Sequence, residues 1–145
     1  QKGFTLIEIL IVVGIIAILA AVVIIAINPA RQFAQARNSQ RSSNVNTILN
    51  AVGQYGVENK GALPASITTT ATEICATGAA SCTGLIDLSV LTASELYLVS
   101  VPLDPSCPTA CEASGVGYTI MKSVNGRVTV NAPDAELSQS IAVVR

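Results

Sequence analysis

The chain has 145 residues, 50% of them apolar and 3% aromatic, and its 8 basic against 9 acidic residues leave a net charge of −1. That length holds one small domain beyond a long apolar segment, and the mildly acidic C-terminal part offers no electrostatic footprint for nucleic acid. There is no histidine, which removes the most common general base and metal ligand.

The first element is Phe4-Thr5-Leu6-Ile7-Glu8, preceded by Gly3 and followed by an apolar run from Ile9 to Ile27. As a helix, residues 4–27 extend ~36 Å at 1.5 Å per residue, enough to cross a hydrocarbon core of ~30 Å with some tilt. The run is longer than the apolar part of a secretory signal peptide and has no small-residue cleavage site near its far end. Two residues do not suit a plain anchor. Glu8 places a carboxylate in the apolar segment, where a charge needs a partner. Gly3 is a small residue at the edge of the run, where a peptidase can reach the chain.

Lys2-Gly3-Phe4-Thr5-Leu6-Ile7-Glu8 resembles the cleavage and methylation motif of type IV pilins and type II secretion pseudopilins. The resemblance implies that residues 1–3 are the end of a leader, that cleavage falls between Gly3 and Phe4, and that Phe4 is then N-methylated. It also implies that Glu8 pairs with the Phe4 amine of an adjacent subunit. Topology counting conflicts with this reading: Lys2 precedes the run, whereas Arg31, Arg37 and Arg41 follow it, which taken alone would keep the C-terminal part inside. The cysteines beyond residue 60 point the other way, because disulfides belong outside the cytoplasm.

Asn28-Pro29 predicts a bend, since proline lacks a donor and disfavours helix at the residue before it. Residues 28–59 then read as an amphipathic continuation. Val45, Ile48, Leu49, Val52 and Tyr55 form one stripe at helical spacing, with Arg31, Gln35, Asn38, Ser42 and Asn46 away from it. Gly56 or Gly61 is the expected stop, with Pro64 beyond. One bent helix of ~53 residues, ~80 Å long, should therefore carry a head on the stripe of its second half alone, the ladle outline expected of a pilin.

Residues 60–145 form that head. The Thr-, Ala-, Ser- and Gly-rich segment 65–84 reads as a loop, and residues 85–101 as one or two helical turns or a short strand. Tyr97-Leu98 with Val101-Pro102-Leu103-Asp104-Pro105 is similar to the segment before the sheet in major pseudopilins. Alternation from Tyr118 to Val124, the pair Asn125-Gly126 and Arg127-Val128-Thr129-Val130 predict a hairpin with a two-residue turn. Ala132-Pro133-Asp134 ends its second strand, and Ile141–Val144 reads as a third. The fold class is α+β: a long N-terminal helix bent near Pro29, packed against a small three-stranded antiparallel sheet.

Cys75, Cys82, Cys107 and Cys111 form an even set that predicts two disulfides. Three pairings are open, and closure of short loops favours Cys75 with Cys82 and Cys107 with Cys111. The spacings C-x6-C and C-x3-C, without histidine, do not suit zinc. Phosphate-binding glycine patterns and a nucleophile beside a base are missing too, so no enzyme and no cofactor is expected. The pseudopilin resemblance makes Asp104 and Asp134, with Ser106 and Glu136, weak candidates for calcium, although no calcium-loop spacing is present. The leading expectation is a subunit of a type IV pilus-like filament, single-pass in the inner membrane before assembly and extracellular afterwards. The resemblance implies as partners other copies of the chain, a prepilin peptidase, an assembly platform protein and its ATPase. A major secretion pseudopilin and a minor tip pilin that binds a ligand or DNA are the alternatives.

Overall fold

The computed structural model describes residues 3–109 and 111–145; Gln1 and Lys2 of the expected leader, and Ala110, lie outside the described residues. Helix α1 spans Leu6–Ile27 and α2 Pro29–Glu58. Between them Asn28 adopts φ 48°, ψ 79°, a left-handed conformation that asparagine tolerates better than most residues. Its Oδ1 accepts from Arg31 N at 3.3 Å, and Pro29 takes the first helical position, where a missing N–H costs nothing. The expected bend is thus a one-residue break. At the far end Gly61 N donates to Gly56 O at 2.7 Å with Lys60 left-handed at φ 56°, the Schellman arrangement that closes a helix.

The head holds a four-stranded antiparallel sheet in the order β1 (Thr72–Cys75), β2 (Gly115–Lys122), β3 (Val128–Ala132), β4 (Ile141–Val144). One strand more is present than the sequence predicts, and it comes from the segment read as a loop. Thr72-Glu73-Ile74-Cys75 is too short to show alternation, and it pairs with β2 through a register shift between Glu73 and Cys75. Its partner Gly115 is glycine for a spatial reason: a Cβ there would lie 2.1 Å from Glu73 Oε1, and Glu73 Oε1 is held by Gly117 N at 2.7 Å. The β2–β3 turn also differs from expectation. Gly126 N donates to Ser123 O at 3.0 Å and Ser123 N to Arg127 O at 2.8 Å. Only Gly126 in this turn has positive φ, at 82°, so the connection is a three-residue turn with a glycine bulge rather than a two-residue Asn125-Gly126 turn, both forms of which need positive φ at Asn125.

Val45, Ile48, Leu49 and Val52 of α2 are buried against the inner face of the sheet, with Tyr118, Ile120 and Val130 opposite. Segment 85–101 supplies helix α3 (Ser89–Thr92) and a 3-10 turn at Ala93–Glu95, with Leu88 and Leu91 buried in the same core. Disulfides join Cys75 to Cys82 and Cys107 to Cys111.

Candidate assembly site

No side chain of α1 is buried, and its leucines, isoleucines and valines are more than half exposed. Each such side chain gains about 1.5–3 kcal/mol when removed from water, so the helix as a whole forgoes on the order of tens of kcal/mol, more than the ~5–15 kcal/mol that holds a domain together. This surface therefore needs a cover from outside the chain. α1 is the one helix among the described residues long and apolar enough to cross a membrane.

At its start Thr5 and Glu8 form a capping box. Thr5 Oγ1 accepts from Glu8 N at 3.3 Å, while Thr5 N and Oγ1 donate to Glu8 Oε2 at 2.9 and 2.8 Å. The arrangement satisfies helix-end donors that hydrocarbon would leave bare, and the positive end of the helix dipole favours the carboxylate there. Glu8 thus has partners inside its own chain before any neighbour arrives. Gly3 lies ahead of this cap, and a Cβ added to it would meet nothing within 4 Å. Packing within the chain does not require glycine at that position.

A second cluster fixes the head to α2. The α2 face continues from Val45 back through Arg41, Asn38 and Ala34, all buried; Asn38, expected on the solvent side, is in fact 4% exposed. Arg41 is fully enclosed and uses all five of its donors. Nε and one Nη2 hydrogen reach Asp104 at 2.7 and 3.0 Å, the other reaches Ser106 Oγ at 2.7 Å, and Nη1 reaches Asn38 Oδ1 at 3.0 Å and Glu136 Oε2 at 2.9 Å. Arg37 adds bonds of 2.6 and 2.5 Å to Glu136. Asn38 exchanges hydrogen bonds with the Glu136 backbone at 2.8 and 2.9 Å, and Asn44 Nδ2 donates to Leu103 O and to the Tyr118 hydroxyl. The cluster fastens two connections to the helix, the one holding Asp104–Ser106 and the one between β3 and β4.

This changes the reading of Asp104 and Asp134. Both Asp104 oxygens accept from Arg41, and Oδ1 also takes Ser106 N at 2.8 Å, so the carboxylate serves as the counter-ion of a buried guanidinium rather than as part of a calcium loop. Asp134 is exposed. Among the described residues no three His, Cys, Asp or Glu side chains gather as metal ligands would. Sequence reasoning missed the Arg41 cluster, although Arg41 and Asn38 sit at helical spacing below Val45, and an arginine at a core position calls for a buried acid.

Residues 1–27 match the family model described as the prokaryotic N-terminal methylation motif. The chain thus carries at residues 1–27 the class III prepilin-type signal found in type IV pilins and pseudopilins. The match stops at Ile27 and leaves the head uncovered. No curated protein and no solved structure matches the chain.

Two outcomes follow from the Arg41 cluster. Asp104→Asn leaves a buried guanidinium short of charge and lowers stability by about 3 kcal/mol, read as the urea midpoint of the full chain in detergent; an unchanged midpoint contradicts the pairing. Hydrogen bonds from Arg37 and then Arg41 hold Glu136 at a pKa of about 2 against an ordinary 4.5. Because the folded value is the lower one, the stabilisation is complete above pH 4.5 and is lost as the pH falls through about 2. The midpoint should decline across that window, and Glu136→Gln should flatten the decline.

Proposed function

We propose that this chain is a structural subunit of a type IV pilus-like helical filament. It enters the membrane as a precursor, is cut between Gly3 and Phe4 by a prepilin peptidase, and polymerises through α1. The observation that carries this reading is an α1 bare on every side behind a prepilin-type signal. In the membrane lipid covers that surface; in the polymer, α1 helices of neighbouring copies replace the lipid.

Glu8 has a defined part in the exchange. Its bonds to Thr5 converge on Oε2, and among the described residues Oε1 has no partner within the chain. Cleavage creates a new amine at Phe4, and the Phe4 amine of an adjacent copy is the cation that completes the pair. Desolvation offsets much of the attraction, so this pair sets register between copies more than it adds stability. Gly3 suits a peptidase: it is exposed, and a Cβ added to it would meet nothing within 4 Å. An assembly platform protein and its ATPase would drive extraction from the bilayer.

The engagement of Asp104 with Arg41 favours a surface pilus over a secretion pseudopilus with a calcium loop, and the two disulfide-closed loops suit an extracellular head. The role proposed for the chain is structural.

Glu8→Ala tests this function. The variant should be cleaved after Gly3 as the unaltered chain is, yet yield few or no filaments by electron microscopy. Normal filaments from Glu8→Ala would remove the proposed pairing.

A further inference from the structure

The two flanks of α2 at its distal end are unlike. On one flank the turn that follows α3 holds two successive left-handed residues, Ser94 and Glu95, both at φ 55°. That conformation is strained for residues with a side chain. Behind the turn, Tyr97 packs edge-on to Tyr55 with ring centroids 5.8 Å apart and donates its hydroxyl hydrogen to Glu58 at 2.6 Å, while Tyr97 N and Leu98 N both bond to Leu91 O. So anchored, the turn presents Leu96 and Val99 outward, 64% and 71% exposed, beside the exposed acid Glu95. It is an apolar knob with a negative charge at its base.

On the other flank lies an apolar groove of about 470 Å³ lined by Leu49, Val52, Gly53, Val57 and Val128, with Arg145 at its edge. Val57 is 82% exposed, and the Arg145 guanidinium bonds Asn50 within the chain. The exposed Arg127 follows Gly126 at the same end. Tyr55 marks the knob side and Val57 the groove side; two residues apart, they project ~200° from each other around a helix of 3.6 residues per turn. A knob and a groove on opposite flanks cannot meet within one molecule, but they can meet between copies.

We propose that the head carries a heterologous self-contact, in which Leu96 and Val99 of one copy seat in the Val57 groove of the next, with Glu95 facing Arg145. The contact rests on the filament reading above and deepens it. The occupant is a second copy because the charges are complementary: the acid Glu95 precedes the knob residue Leu96, and Arg145 lines the groove with Val57. A patch that fits a different patch on an identical molecule repeats without closing when the rotation leaves it open, which is how helical filaments grow. The α1 helices would then supply burial, and the heads a lateral register.

The test uses the full chain assembled in its membrane. Every native cysteine among the described residues is in a disulfide, so Val57→Cys with Leu96→Cys introduces the only free thiols there. After mild oxidation the double variant should run as a ladder of dimers, trimers and higher species on a non-reducing gel, and each single variant as monomer. Filaments seen by electron microscopy without a ladder overturn the contact and leave the filament reading standing. An unaltered chain that forms no filaments overturns the filament reading and the contact with it, and dimers from a single variant overturn the heterologous geometry. Charge exchange gives a second measurement: Glu95→Arg or Arg145→Glu alone should reduce sedimentable filament, and both together should restore it. Failure of the pair to recover overturns the proposed facing of these two groups.

Discussion

Among the described residues nothing covers α1. Its apolar side chains, exposed all round, set the conditions that the rest of the molecule meets. A surface of this kind tolerates lipid or other apolar helices and not water. The head consequently leaves α1 alone and packs only on α2, where Asn28 and Pro29 have separated the two helices. The capping box of Thr5 and Glu8 completes the design at the other end by satisfying donors where water is scarce. The first turn of the helix therefore keeps its donors paired within the chain, as the proposed passage from lipid to protein surroundings would require.

The Arg41 cluster answers a different problem. Burying a guanidinium is costly, and the ion pair with Asp104 recovers that cost without guaranteeing a net gain. What it supplies is position. A head moved along α2 by one turn would lose five donors' worth of partners at once and leave a buried charge among apolar groups. The apolar stripe above it, Val45 to Val52, is less discriminating, since hydrophobic contact is non-directional. Stripe and cluster together place the head at one height on the helix, as the proposed filament subunit would require.

Much of this was legible in residue order. The membrane-length run, the break at Pro29, the α2 stripe, the β2–β3 hairpin, β4 and the cysteine pairs all carry local signals: run length, a missing donor, helical or twofold periodicity, short separations. β1 carried none, because four residues are too few to show alternation and its pairing with β2 is made at long range around Glu73 and Gly115. The Arg41 cluster was hidden for a related reason. Its acids come from connections 63 and 95 residues away, and a polar residue on a helix reads as solvent-facing unless its partner is known. For the assembly site, Gly3, Phe4 and Glu8 were visible as a motif. Only the structure shows that Gly3 is free of packing demands and that Glu8 already bonds Thr5.

If α1 exists to be transferred from lipid into a polymer, the chain isolated from its membrane or from filaments must begin at a new terminus. Intact-mass and N-terminal peptide mass spectrometry of the purified protein measure this directly. A chain that starts at Phe4 and bears a methyl group on its amine is the expected result. A chain that retains Gly3 joined to Phe4, in a cell that processes its other prepilins, would contradict it.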